Sequence, residues 1–423
     1  MSRLRTELRN PLFLQGYALM ANTAITAVLG LGYWMLATRL YSPDAFGEGQ
    51  AMISAMRLFA SLTGLAFAGM LARFIPVAGR RTGELVGRAY AVAGAIGVLA
   101  ALVFLLTLPM WGTAYASLAG LLPGLLFLLA VLVWTVFTLQ DVVLTGLRRA
   151  VWVPAGSLAF GLVKMALLGV LAVALPSGGV LGGIFVSWII PTALALIPVN
   201  WYIFRVLAPR AADPAAQPAV PLSARRIGRF LAGDFPGALS ALLVIFLVPV
   251  LVAGWVEDVA HFGYFTVAHS LGCMVALLAN NLALSLTVES SLDAGSLARN
   301  LRATLRRAFL VLGPIVGLTV LAAPLLLGVF GGELAEYGTP LLRLMALAVI
   351  PGMLIEVHLA TLRARSAARR LAVTQIGLAL LVLGSVTVAF PLWGITGVGL
   401  ALLGSQVVVA ALVLPHILKD CCE

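Results

Sequence analysis

Apolar residues are grouped along the chain in long runs that short polar segments separate. A helix needs about 20 apolar residues to cross the hydrocarbon core of a bilayer, and twelve runs reach this length. The runs lie at approximately 12–38, 50–75, 86–109, 118–146, 152–175, 181–206, 229–254, 263–289, 303–330, 339–362, 371–391 and 395–418. The pattern predicts an all-α, polytopic membrane protein with about 12 transmembrane helices.

The cations of the connecting segments are distributed unevenly between the two sides of the membrane. Of the 27 Arg and Lys residues, 22 lie in the termini and in every second loop, whereas the other loops hold only Arg39. Cytoplasmic loops carry such an excess of cations, so we expect both termini in the cytoplasm and an even number of spans. We expect the outer loops to carry acidic residues instead, including Asp44 and Glu48.

The chain divides into two halves of similar layout. The longest loop, at 207–228, is rich in Ala and Pro and predicts a cytoplasmic linker between residues 1–206 and residues 229–423. The third span of each half opens on a related sequence, RAYAVAGAI from Arg88 and RAFLVLGPI from Arg307. Because an even number of spans returns the second half to the same orientation, we expect two six-helix bundles related as a parallel repeat.

The composition excludes several functional classes. Hydrophobic residues make up 62% of the chain and charged residues 10%, with a mean hydropathy of +1.08, whereas a soluble domain carries about 25% charged residues. A water-soluble enzyme, a disordered chain and a disulfide scaffold are therefore excluded. The net charge of +11 reflects the cytoplasmic cations, so we expect no nucleic-acid partner. The chain contains no HExxH, nucleophile-elbow or Walker motif, and we expect no enzymatic activity, cofactor or metal.

Three cations lie inside predicted spans. Lys164 stands near the middle of the fifth span, Arg57 about two turns into the second, and Arg343 near the outer end of the tenth. A charge within the bilayer costs several kcal/mol and usually faces a cavity or a partner. Arg and Lys in a cleft of low dielectric bind phosphate strongly, so these three are candidate substrate-binding residues. One alternative is an internal ion pair with Asp141 or Glu356, and another, for Arg343, is snorkelling to the outer headgroups.

Three acidic residues in or beside apolar runs are candidates for gating or coupling. Asp141 lies seven residues before Arg148, and Glu356 lies equally far before Arg363. An ordinary ion pair at the end of the helix is therefore an alternative for both acids. Asp234 begins the seventh span, where its alternative roles are to cap the helix or to pair with a nearby arginine.

Two short motifs carry a family resemblance. The first outer loop reads RLYSPDAFG from Arg39 to Gly47, and the second span ends on GMLARFIP, which contains Arg73. Together with the twelve spans and the two-half layout, these residues resemble the polysaccharide (oligosaccharide) flippase family, the Wzx-like branch of the multidrug/oligosaccharidyl-lipid/polysaccharide exporter superfamily. The match extends over residues 10–80 and marks the family but not the substrate. By motif position only Arg39 and Arg73 are carried over, with a role in structure or gating.

The resemblance implies a fold, a function and partners. It implies a V-shaped pair of six-helix bundles around a central cationic cavity. Family members move a polyprenyl-diphosphate-linked oligosaccharide from the cytoplasmic to the outer leaflet by alternating access. The implied partners are the lipid-linked glycan substrate, the lipid bilayer, a glycan polymerase and glycosyltransferases, and the implied location is the bacterial inner membrane.

Two other functions fit the same sequence. A cation- or proton-coupled multidrug exporter of the same superfamily would depend on carboxylates, such as Asp141 or Glu356, rather than on cations. A membrane-embedded glycan polymerase is a further alternative. Such an enzyme would usually need a sizeable outer loop with catalytic acids, and the outer loops of this chain are short.

Overall fold

In the computed structural model the chain forms two compact helical units. The structure describes the following residues: 11–62, 64–147, 152–210, 237, 239, 240, 242–292, 297–365 and 367–422. Within them the secondary structure is helical and contains no strand. The first unit comprises Met1–Leu242 with Ala253–Trp255, and the second comprises Leu243–Val252 with Val256–Glu423. The predicted all-α fold is confirmed.

The first unit contains helices α1 to α7. Their bounds are α1 Pro11–Leu40, α2 Pro43–Ser61, α3 Gly64–Ala78, α4 Thr82–Leu106, α5 Leu121–Gly146, α6 Trp152–Ala174 and α7 Gly183–Tyr202. Helix α1 packs on α6, α6 packs on α7, and α5 packs on α3, α4 and α7. The buried core between α3, α4 and α5 includes Leu71, Val86 and Leu139. Helix α7 therefore contacts both α5 and α6, and α1 reaches this group through α6.

Helix α2 begins earlier than the predicted second span because the chain provides a strong helix start. The backbone N–H of Ala45 donates to Ser42 Oγ over 3.3 Å, and Pro43 occupies the first helical position, where its missing N–H costs nothing. The negative charge of Asp44 in the first turn interacts favourably with the positive end of the helix dipole and stabilises this helix start. The prediction that Asp44 and Glu48 lie in an outer loop is therefore wrong, since both belong to α2.

The remaining helices form most of the second unit. Their bounds are α8 Val248–Trp255, α9 Val259–Leu292, α10 Leu297–Gly328, α11 Gly332–Ala364 and α12 Ala368–Cys422. A buried core that includes Leu312 and Met353 joins α9, α10 and α11, and a second one joins α11 to α12. Helix α12 is interrupted at Gly394, where φ is 56° and ψ is −141°. The interruption falls between the last two predicted spans.

The described helices account for the predicted spans. Eight of them are long and apolar enough to cross a membrane. The longest, Arg369–Asp420, contains the interruption at Gly394 and so accounts for two predicted spans. Three shorter apolar helices, Ile25–Leu40, Phe67–Pro76 and Leu243–Trp255, overlap the first, second and seventh predicted spans. The second predicted span is divided between α2 and α3. The chain is a multi-pass membrane protein.

Two π-helical turns stand on either side of the predicted linker. The turn at Ile203–Leu207 continues α7 to Arg210, and the turn at Leu243–Leu247 leads into α8. Residues 211–228 of the predicted linker lie outside the described residues. The linker boundaries and the parallel repeat therefore stay predictions.

We expect Gly394→Ala to lower the thermal unfolding temperature of the purified protein. The positive φ at this position costs a residue with a β-carbon roughly 1–2 kcal/mol. Gly404→Ala is the matched control, because it lies in the same helix and an added Cβ would meet open space there. Alanine is favoured over glycine inside a helix by roughly 0.5–1 kcal/mol, so the control should raise the unfolding temperature. If both substitutions change the unfolding temperature in the same direction, the interruption of the helix at Gly394 is contradicted.

Candidate functional site

Lys164 is buried in the middle of α6, with 7% of its surface exposed. Its Nζ atom lies 4.2 Å from the ring centroid of Trp188, 4.3 Å from that of Tyr33 and 5.3 Å from that of Phe160. We call these three rings the aromatic cage. A desolvated cation over a ring face gains about 2 kcal/mol, so the rings offset part of the cost of burying the charge. No salt bridge among the described residues includes Lys164, and the alternative of an internal ion pair stays open for Arg57.

The aromatic cage is held in place by contacts between α1, α2 and α7. The hydroxyl of Tyr33 donates to the carbonyl oxygen of Ile184 over 3.1 Å and lies 2.7 Å from Ser187 Oγ. On α2, a β-carbon added to Gly49 would lie 2.8 Å from Cβ of Ile184. Small residues permit such a close approach of helices in membranes. The first two helices of the chain therefore contact α7, which is distant from them in sequence, in the region of Lys164.

Arg57 is the second predicted binding residue that lies in this region. It is half-buried on α2, and its positive charge repels the ammonium of Lys164. Like charges repel strongly where the dielectric constant is low. An anion that contacts both side chains would replace this repulsion with two attractions.

Arg343 lies in the second unit and has a different environment. Its side chain is exposed, and its Nε donates to the carbonyl oxygen of Val320 on α10 over 3.0 Å. Val320 precedes Pro324 by four residues, and proline has no N–H with which to bond this carbonyl. The guanidinium therefore replaces a missing hydrogen bond of α10. This contact is a structural role for Arg343, and its substrate-binding role stays a prediction.

We expect Arg343→Met to lower the unfolding free energy by about 0.5–1.5 kcal/mol, the net value of one hydrogen bond. In a Pro324→Ala background the alanine N–H would bond the carbonyl of Val320. Arg343→Met should therefore lower the unfolding free energy by less in that background. Thermal unfolding of the four proteins in detergent forms a double-mutant cycle that measures this coupling. Strictly additive effects would contradict a compensating hydrogen bond.

Asp141 acts on a second buried polar group of the first unit. It is half-buried on α5, and its charge acts on Tyr90 of α4, whose buried hydroxyl has no hydrogen-bond partner among the described residues. No salt bridge in the described part of the chain includes Asp141. Its predicted partner, Arg148, lies outside the described residues. Asp141 thus stays a candidate for gating or coupling.

Of the other two predicted acids, only Glu356 lies in the described part of the chain. Glu356 is half-buried on α11 and feels the charge of Arg363, but no salt bridge joins these two described side chains. A salt bridge of 2.8 Å joins Arg365 to Asp420 instead. Asp234 lies outside the described residues. The gating roles of both acids stay predictions.

The RLYSPDAFG motif supports the helix that carries Lys164. Arg39 and Arg73 are both exposed, near the ends of α1 and α3. Tyr41 is buried, and its hydroxyl donates to the carbonyl oxygen of Leu168 over 3.1 Å. Burial raises the pKa of Tyr41 to about 12, so the hydroxyl remains a donor even in moderately alkaline solution. Because Leu168 lies one turn beyond Lys164, the motif anchors α6 next to the aromatic cage.

The residues of the aromatic cage were not predicted. Phe160 precedes Lys164 by four residues, a spacing that places two side chains on one face of a helix, and this signal is present in the sequence. Tyr33 and Trp188 carry no such signal, because they belong to other helices. Their place beside Lys164 depends on how α1 and α7 are rotated against α6.

Comparisons with known proteins identify the fold. No protein-family model and no curated protein matches the chain. A multidrug-resistance MATE transporter of the MOP superfamily in an inward-facing conformation aligns with a TM-score of 0.70 at 13% identity, over 95% of this chain and 98% of that one. The lipid II flippase MurJ in an inward closed conformation aligns with a TM-score of 0.67 at 13% identity, over 97% and 89%.

A third solved structure is similar over nearly its whole length. It is a MOP superfamily transporter from Pyrococcus furiosus whose binding pocket is described as having reverse polarity, and it aligns with a TM-score of 0.58 at 14% identity, over 98% of this chain and 97% of that one. Identities this low establish a common fold but not a common substrate. The chain has the fold of the MOP superfamily transporters.

Proposed function

We propose that this protein is a flippase for a polyprenyl-diphosphate-linked oligosaccharide. It would move this lipid from the cytoplasmic to the outer leaflet of the bacterial inner membrane by alternating access, for surface polysaccharide biosynthesis. The observation that carries the proposal is the pair of cations, Lys164 and Arg57, within one helical unit. The lipid bilayer, a glycan polymerase and glycosyltransferases are the proposed partners, with both termini in the cytoplasm.

The chemistry of the two cations favours a diphosphate. The ammonium of Lys164 has three N–H donors, and the surrounding rings are only weak acceptors. Trp188 Nε1 is a further buried donor without a hydrogen-bond partner among the described residues. A diphosphate offers several charged oxygens, and charge-assisted hydrogen bonds to such oxygens are the strong ones. One ligand group could therefore accept hydrogen bonds from both the ammonium of Lys164 and Trp188 Nε1.

A coupled multidrug exporter is the second candidate, and Asp141 is the observation that favours it. A half-buried carboxylate within a membrane-spanning helix is suited to bind a proton or a cation. The positive charges of Arg57 and Lys164 argue against cationic drugs as cargo in the same unit, because they would repel them. For this reason we place the flippase first.

Reconstitution into vesicles separates these functions. The probe is a fluorescent undecaprenyl-diphosphate carrying one N-acetylglucosamine, and fluorescent phosphatidylcholine is the control lipid. A flippase for the diphosphate lipid should let membrane-impermeant dithionite bleach nearly all of the probe, while the control lipid is bleached only in the outer leaflet. Equal bleaching of both lipids would overturn the proposal. Ethidium export that Asp141→Asn abolishes would favour the drug exporter, and extension of a glycan by the purified protein would favour the polymerase.

A further inference from the structure

A band of aromatic rings extends from the aromatic cage across the first unit. Trp34 stacks on Trp188, with ring centroids 5.7 Å apart and planes at 28°. The ring of Trp134 packs against the same indole, with ring centroids 5.1 Å apart and planes at 35°. Phe137 lies 5.4 Å from Trp134 and 5.0 Å from Phe160. These five rings, which we call the aromatic band, come from α1, α5, α6 and α7.

The aromatic band differs from the ordinary core of this unit. Phe104 and Phe127 are among the largest fully buried side chains of the protein. Within the band only Trp188 is buried, and the other four rings keep part of their surface accessible. The band therefore presents ring surface to which a ligand could bind.

The accessible rings of α5 face away from lipid. Trp134 and Phe137 lie three residues apart on one side of the helix. With 3.6 residues per turn, the opposite side of the helix carries a set of exposed leucines. These leucines are Leu125, Leu129 and Leu132. Exposed leucines are typical of a lipid-facing surface. Asp141 lies one turn beyond Phe137 and therefore shares the inward side of α5.

We infer that the aromatic band is a saccharide-binding subsite, which takes the sugar attached to the diphosphate of the substrate. This inference rests on the proposed function and names the part of the site that holds the glycan. A pyranose ring has an apolar C–H face, which stacks on an aromatic ring, and a rim of hydroxyls. The carboxylate of Asp141 accepts hydrogen bonds from such hydroxyls. Trp188 connects the two subsites, since its ring contacts the ammonium of Lys164 as well as Trp34 and Trp134.

The charge beside the rings argues against the other common ligand of an aromatic surface. Exposed tryptophan rings also bind organic cations through their ring faces. In this unit the ammonium of Lys164 already occupies the face of Trp188, and Arg57 adds a second positive charge nearby. A neutral sugar next to an anionic diphosphate fits this environment, whereas an organic cation would be repelled.

Two lipid diphosphates that differ only in the sugar test the subsite. The probes are farnesyl diphosphate and farnesyl diphosphate carrying one N-acetylglucosamine, with binding to the purified protein measured by calorimetry. We expect the sugar to tighten binding by roughly tenfold, which corresponds to about 1.4 kcal/mol. Trp134→Leu and Trp34→Leu should each remove most of this preference and change the affinity for farnesyl diphosphate less than threefold. Trp134→Phe should keep most of the preference, because a ring remains.

Controls separate the subsite from the fold and from the proposed function. Trp201→Leu removes an exposed tryptophan outside the band and should change neither affinity. If Trp134→Leu weakens both probes equally, or if the sugar adds nothing to wild-type binding, the saccharide subsite is wrong while the flippase proposal stands. If farnesyl diphosphate itself does not bind the wild-type protein, the flippase proposal fails and the subsite fails with it. Tighter binding of ethidium than of the sugar-bearing probe would overturn the subsite in favour of a cation site.

Discussion

Replacing Lys164 with methionine is expected to weaken the binding of farnesyl diphosphate by roughly 10- to 100-fold. Hydrogen bonds to a charged group contribute about 1.5–3 kcal/mol, and each 1.4 kcal/mol changes an affinity about tenfold. Methionine keeps an unbranched apolar stem beneath Tyr33 and Trp188, so the helices should still pack. Removing a buried charge that has no carboxylate partner among the described residues should also raise the thermal unfolding temperature. Calorimetry and thermal unfolding in detergent measure the two effects.

The only other lysine of the chain provides the matched control. Lys419 is exposed near the end of α12, so Lys419→Met should leave the affinity for farnesyl diphosphate unchanged. Loss of stability in Lys164→Met with an unaltered affinity would mean that Lys164 holds the helices together and does not bind the substrate. That outcome would remove the main support for the proposed flippase.

Reversing the charge of Arg57 should weaken binding of farnesyl diphosphate by roughly 100-fold or more, because one attraction is lost and one repulsion is gained. In Arg57→Glu the repulsion that acts on Lys164 becomes an attraction. The ligand-free protein should therefore unfold at a higher temperature than the wild type even though it binds the diphosphate less well. The same calorimetric and unfolding measurements reveal this opposite change in affinity and stability.

Arg80→Glu is the charge-matched control for this prediction. Arg80 is exposed in the short helical turn that links α3 to α4, and its reversal changes the net charge of the protein by the same amount. If both substitutions weaken binding equally, the effect is a general one of net charge, and Arg57 has no specific part in the site. If Arg57→Glu leaves affinity intact, the two-cation site is wrong.

Most of the fold could be predicted from the sequence because crossing a bilayer requires a local property, a long apolar stretch. The interruption at Gly394 coincides with the gap between two predicted spans for the same reason. Charge alone assigns Asp44 and Glu48 to a loop and therefore places the start of α2 too late. The Ser42–Pro43 helix start is a local sequence signal that indicates the earlier beginning.

The cations of the spans could be found from the sequence but not distinguished from one another. Any charge in an apolar run carries a similar burial cost, so the sequence pattern does not separate Arg343 from Lys164. In the structure Arg343 bonds a carbonyl that Pro324 leaves free on a neighbouring helix. Hydropathy cannot show such a contact, because it depends on which helices pack together and on their relative height in the bundle.

The sequence alone established a polytopic all-α chain with a buried lysine near the middle of the fifth span. It did not reveal what surrounds that lysine, because hydropathy reports the depth of a residue in the bilayer and not its neighbours. The rings of Tyr33 and Trp188 reach Lys164 from α1 and α7, more than a hundred residues apart in the chain. Their meeting depends on the rotation of each helix about its axis and on the close approach that Gly49 permits. Only tertiary packing, which minimises the cost of a buried charge by enclosing it in ring faces, produces that arrangement.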